Sequence, residues 1–194
     1  MKRGFVLGCL VVLFAVSLAS AQDRWQLDFT PVKMDRALVT IGETTTPYWY
    51  LIYKVNNSTD DTLTLDLTLK AVSDVGKKTY VEWFSPAAEK LIEAKEGRDF
   101  KNVQDLRGLE LDSGDTVEAV ALFRNVHEST DLLKIHIFGL WDSVYTDLGK
   151  VINEDNVLVL HYFRPGDEYF PQFDRFFFKK KEWIVLNRQE KAGP

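Results

Sequence analysis

Residues Tyr48 to Leu69, YWYLIYKVNNSTDDTLTLDLTL, leave this chain few folds to choose from. In the second half Leu63, Leu65, Leu67 and Leu69 alternate with Thr62, Thr64, Asp66, Thr68 and Lys70. Successive side chains of a strand point to opposite faces, so this alternation marks a strand with one face on a core and one in water. The first half, Tyr48 to Val55, is apolar at both parities, as a central strand covered on both faces would be. Between them, Asn56-Asn57-Ser58-Thr59-Asp60-Asp61 offers short side chains that bond their own backbone in turns. The stretch reads as a hairpin of two long strands at the centre of a β-protein, and it carries no catalytic chemistry of its own.

The rest of the chain repeats the theme. Trp25 to Val32 and Arg36 to Ile41 are expected as a first strand and a short second piece, with Gly42 to Pro47 as a loop. Asp74-Val75-Gly76 should close another hairpin, because Gly76 can take a positive φ. Leu109 to Phe123 reads as a turn at Asp112 to Asp115 followed by a buried strand. Val117, Ala119, Ala121 and Phe123 line one face of it, and Val120 and Leu122 the other. Leu132 to Leu140, Val157 to Phe163 and Arg175 to Leu186 are further strands. Trp141 to Asn156 reads as a polar loop, and the tail from Asn187 as frayed.

One helix interrupts the strands at about 86–96. Ser85 is a good N-cap, Pro86 suits the first helical position, and Gly97 can terminate it. Ala87, Ala88, Leu91, Ile92 and Ala94 form its apolar stripe. Phe100 to Gly108 is irregular, with room for a second helical turn. Short strands at even spacing with turn residues between them indicate a mainly β chain folded as an antiparallel β-sandwich.

The first 21 residues have the layout of a signal peptide: Met1-Lys2-Arg3, an apolar Gly4 to Leu18, and the small-residue site Ala19-Ser20-Ala21. The expected mature chain, 22–194, is then one domain, exported to the periplasm or secreted. Its net charge is −7, since Lys2 and Arg3 leave with the signal and 22 basic residues face 29 acidic ones. Cys9 is the one cysteine and leaves too, so neither a disulfide nor a thiol is available. An acidic chain is a poor match for nucleic acid, and no stretch after Ala21 is suited to stable membrane insertion.

Two stretches resemble a known group. Tyr50 to Tyr80 looks like the strand-turn-strand-turn of bacterial immunoglobulin-like domains, in which the returning strand ends in Asp-x-Gly-Lys. Leu109 to Phe123 resembles their later part. Tyr48-Trp49-Tyr50, Gly166-Asp167-Glu168 and Glu182-Trp183 are similar to segments of uncharacterised exported bacterial proteins of this size. The resemblance implies an immunoglobulin-like sandwich and no activity, and the helix at 86–96 departs from the minimal version of that fold.

The chain carries few residues in patterns that point to chemistry. His127, His136 and His161 have no metal-ligand spacing, and no HExxH, GxSxG or phosphate-binding glycine loop occurs. The acidic turns at Asp112 to Asp115 and 153–156 do not match a calcium loop. No catalytic residue, metal or cofactor is assigned. Asn56-Asn57-Ser58-Thr59 holds two overlapping glycosylation sequons, which also serve as turn chemistry.

The sharpest local feature is a run of rings near the C-terminus: Tyr162, Phe163, Tyr169, Phe170, Phe173, Phe176, Phe177, Phe178 and Trp183. Five residues between the last two strands, Asp167, Glu168, Tyr169, Phe170 and Phe173, form the candidate partner or ligand surface, since exposed rings beside acids can stack on sugars or anchor a protein. The competing expectation is that these rings plug one end of the sandwich. Lys179-Lys180-Lys181 reads as an edge strand protected by charge. The functional expectation is an exported, non-catalytic binding or accessory protein with an unknown protein or glycan as partner. A carbohydrate-binding module using those rings, and a hydrolase of envelope or extracellular polymers, are the alternatives.

Overall fold

A computed structural model describes residues 25–147, 150–165 and 175–192; the signal-like segment 1–21 and the candidate surface 167–173 lie outside them. The chain is mainly β, and its two main sheets are antiparallel and packed face to face. A three-stranded sheet has the order β1 (Asp28–Ile41), β2 (Thr44–Asn56), β7 (Thr116–Arg124). A six-stranded sheet has the order β11 (Phe177–Ala192), β10 (Lys150–Phe163), β8 (Leu132–Phe138), β4 (Thr68–Ser73), β5 (Thr79–Val81), and β9 (Val144–Asp147) pairs β10 beside this path. A two-stranded piece, β3 (Leu63–Thr64) with β6 (Glu110–Leu111), joins the rim.

The expected central hairpin does not form. β2 pairs β1 and β7, whereas the chain after the polar turn divides between β3 and β4 and enters the opposite sheet. The facing was legible even so: Leu65, Leu67 and Leu69 are buried, and Thr64, Asp66 and Thr68 are exposed. What turns the hairpin into an arch is Asn57, whose side chain is fully buried. Its amide donates to Asp61 O at 2.7 Å and Leu111 O at 2.8 Å, and its oxygen accepts from Thr59 N and Thr59 Oγ1. A buried amide with every bond made fixes the path of the chain around it.

β2 is apolar at both parities because it separates two cores. Trp49, Leu51, Tyr53 and Val55 join the core between the sheets. Tyr48, Tyr50 and Ile52 face a second core with Ala88, Ile92 and Phe100. That second core is closed by α1 (Pro86–Glu96), which begins at Ser85 and ends on Gly97 at φ 71. Its stripe is narrower than expected: Ala88 and Ile92 are buried, but Ala87, Leu91 and Ala94 are exposed. A second, one-turn helix, α2 (Val103–Leu106), is capped by Asn102. β7 follows the same two-core logic as β2, with Val117, Ala119, Ala121 and Phe123 in the first core and Val120 and Leu122 in the second.

Three further expectations are corrected. The two N-terminal pieces are one strand, bent at a register shift between Pro31 and Lys33, and the expected loop 42–47 shrinks to a two-residue turn at Gly42-Glu43. Proline cannot donate to a ladder, so a bulge there lets one strand continue past it. Trp141 to Asn156 is not a polar loop: it holds the β9–β10 hairpin, because Tyr145, Ile152 and Glu154 turn inward at strand spacing. The tail is not frayed either. β11 pairs β10 as far as Lys150↔Ala192, with Arg188 bonded to Glu154 and Glu190 to Lys150.

Candidate functional site

The outer edges of the two sheets differ in how they are covered. Beyond β7, Trp83 N donates to Leu122 O and Val120 N to Lys101 O, so the helical segment satisfies that edge. On the other side β1 faces the start of β11 across a groove of about 730 Å³, lined by residues including Val32, Met34, Tyr162, Phe176, Phe177 and Phe178. This volume falls within the range that small ligands or a short peptide segment occupy.

Each wall follows from local sequence. The Pro31 bulge turns Val32 outward, leaving it 45% exposed, while Met34 points into the core. On the β11 side Phe176 is buried edge-on against Trp49 at 4.6 Å, with the Arg164 guanidinium 5.8 Å from its ring. Tyr162 is buried and meets Phe178 edge-on at 5.7 Å; Phe178 itself is 48% exposed. The ring cluster therefore divides: Tyr162 and Phe176 are core, whereas Phe163, Phe178 and Trp183 reach solvent.

Charge is concentrated at one end of the groove. Lys33 contacts Glu96 at 2.6 Å and Asp35 at 3.4 Å, and Lys95 meets Asp35 at 2.9 Å. The Tyr50 hydroxyl donates to Glu96 at 2.7 Å from beneath. Partial desolvation works against these charges, but the mutual bonds outweigh it, holding Asp35 and Glu96 below the usual carboxylate range and Lys33 above its own. Burial, then the two carboxylates, push the Tyr50 phenol up. The cluster ties α1 to β1 and β2 and gives the groove a polar end. At the other end Lys181 Nζ lies 3.4 Å from Phe29 O, and Arg175 sits 4.6 Å from the Phe177 ring.

The proposed surface residues Asp167, Glu168, Tyr169, Phe170 and Phe173 lie outside the described residues. The segment carrying them joins Pro165 to Arg175, and Arg175 lines the groove. The groove residues before and after that segment were not singled out by the sequence, because a cleft between β1 and β11 depends on a pairing order that periodicity does not encode.

Glu82 was also missed. It follows β5 at the parity of buried Tyr80, which was the available signal, and its carboxyl oxygen Oε1 is buried without a hydrogen-bond partner. Burial pushes its pKa up to about 8, with the Leu69 backbone N–H pulling weakly the other way. On the open face of the six-stranded sheet His161 Nε2 meets Glu182 Oε1 at 2.8 Å, but neither residue lines the groove. Among the described residues no group of three or more His, Cys, Asp or Glu is disposed to hold a metal ion, and no helix is long and apolar enough to cross a membrane. Comparisons with protein-family models, with curated proteins and with solved structures return no match.

Proposed function

We propose that this chain is an exported, non-catalytic binding or accessory protein, and that the groove between β1 and β11 receives an apolar side chain or short segment of its partner. The carrying observation is the open edge itself: Val32 and Phe178 stand exposed on opposite walls of a groove floored by buried rings. Exposed apolar side chains grouped in a concave site mark interaction surfaces on proteins that are otherwise polar outside. The signal-like segment 1–21 and the resemblance to immunoglobulin-like exported proteins support the location and fold type in this proposal. Tyr169, Phe170 and Phe173, with Asp167 and Glu168, belong to the same proposal as further partner contacts, since their segment rejoins the described chain at the groove.

The test is a crosslinking experiment in the native host. A photoreactive residue placed at Val32 is expected to yield one discrete adduct, which Phe178→Glu abolishes while the melting temperature stays within a few degrees. Adducts of the same yield and size with and without Phe178→Glu would overturn the groove as the binding site.

A further inference from the structure

The outward face of the six-stranded sheet gathers basic residues that the sequence scatters. In one register row Lys134 of β8 lies beside His161 of β10, which lies beside Lys180 of β11. In the next row Lys70 of β4 lies beside His136 of β8, followed by Val159 and Glu182. Five basic side chains thus share a patch with one carboxylate, Glu182, in a chain of net charge −5. Glu182 is engaged by Lys180 and His161. Lys134 and Lys70 have no carboxylate partner among the described residues; Lys70 rests over the Phe138 ring at 5.0 Å. Three lysines, Lys70, Lys134 and Lys180, thus share this face with a single carboxylate, which gives it a local positive excess in an acidic chain.

We propose that this face is a second binding surface, bordering the groove at Phe177, and that it takes a linear acidic polysaccharide lying across the strands. Adjacent strands are about 4.8 Å apart, so Lys134, His161 and Lys180 form a straight line of basic groups perpendicular to the strands. A linear polymer with an acid on successive sugar units meets such a line; a compact acidic patch does not need one. On the far side of this line Leu132, Phe163 and Phe177 make an apolar row against which sugar C–H faces can lie. Nucleic acid fits less well. Successive bases need flat, parallel ring faces; Phe163 and Phe177 are tilted against each other at 5.8 Å, with the Arg175 guanidinium 4.6 Å from the Phe177 ring, which leaves an apolar row for sugar C–H groups but no stacking platform. Desolvation, then the neighbouring Lys134 and His161, hold the His136 pKa below its usual value, so the lysines supply the lasting charge.

The experiment measures retention of the full chain on immobilised polygalacturonate and dextran sulfate, with neutral dextran and polydeoxythymidine alongside. Salt-sensitive binding to the two acidic glycans is expected, with none to dextran. The double variant Lys134→Ala/Lys180→Ala should bind about tenfold more weakly, the size of two partly exposed ion pairs. It should keep its fold, since both side chains are exposed and the Lys180–Glu182 pair at the surface adds little to stability. Lys90→Ala/Lys101→Ala, exposed elsewhere, should change nothing, and Val32→Glu in the groove should leave glycan binding intact. Absence of glycan retention, equal losses in both lysine pairs, or tighter retention of polydeoxythymidine would each overturn the proposal, and loss with Val32→Glu would assign the effect to the groove instead.

Discussion

The Glu82 carboxyl reaches toward the buried Tyr53 phenol, whose pKa is raised by burial first and by the Glu82 charge second, and neither Glu82 Oε1 nor the Tyr53 hydroxyl has a hydrogen-bond partner among the described residues. Tyr53 is fully buried and stacks on Phe29 at 4.8 Å. The sign of the resulting pH dependence is fixed. Glu82 releases its proton near pH 8 when folded and near its ordinary 4.5 when unfolded. Between those values the native state holds a proton that the unfolded chain has lost, so stability falls as pH rises through that window. The full contribution is present below about pH 4.5, and the loss amounts to a few kcal/mol above pH 8. Urea unfolding at pH 5, 7 and 8.5 should show this decline in the wild type and a much flatter profile in Glu82→Gln. Parallel profiles would place the titration elsewhere.

Asn57 should resist substitution more than its neighbour. Asn57→Ala strands the carbonyls of Asp61 and Leu111 and frees Thr59 N, so it should cost about 2–4 kcal/mol in chemical denaturation. The half-buried Asn56 bonds only around the turn at Gly114 to Thr116, and Asn56→Ala should cost roughly 1 kcal/mol. Both amide hydrogens of Asn57 are committed inside the fold, so expression in a glycosylating host should give no glycan at Asn57 in the folded protein, as read by peptide mass spectrometry.

The facing of the Leu-Thr alternation has a direct check. Leu65→Asp buries an unpaired charge in the inter-sheet core and should abolish cooperative unfolding. Thr64 stands exposed opposite Glu110 in the small β3–β6 ladder. Thr64→Lys should therefore be silent or slightly stabilising by thermal melting. Comparable losses from the two changes would mean that the strand faces the other way.

The cluster of Lys33, Asp35, Lys95 and Glu96 makes the seating of α1 sensitive to acid. Asp35 and Glu96 have depressed pKa values in the folded state, so their contribution is present above the ordinary carboxylate range and is lost as pH falls through their folded values. Amide exchange in α1 should accelerate below about pH 4 relative to β2, and added salt should lessen the difference by screening these partly exposed charges. Unchanged relative protection across that pH range would show that apolar contacts alone, through Ala88 and Ile92, hold the helix.

The sequence displayed side-chain facing far better than strand partnership. Alternation placed Leu65, Leu69, Ala119 and Phe123 inward and Val120 and Leu122 on a second face, because burial acts residue by residue. Ser85, Pro86 and Gly97 marked the helix, because caps are local chemistry. Pairing order is a property of distant segments, and there the reading failed: nothing between Asn56 and Asp61 reveals that Asn57 will reach Leu111 and send the chain to the other sheet. Charged strands were misread for a related reason. Arg188 and Glu190 look like a solvated tail until β10 supplies Glu154 and Lys150. The groove was invisible for the same cause, since its walls come from opposite ends of the chain.

The arch at Asn57 also has a meaning in time. Strands close along the chain, β2 and β4, serve opposite sheets, and β2 must wait for β7 to deliver Arg124 to Tyr48 and Thr116 to Asn56. The six-stranded sheet waits longer still, until β10 has met β11 at Lys150 and Ala192. Distant pairings pay their loop-closure entropy before any contact rewards them, so these two junctions are expected to close after the local β1–β2 and β9–β10 hairpins. A newly made copy should therefore hold its hairpins before its sheets, and complete both sheets only once β7 and β11 are present.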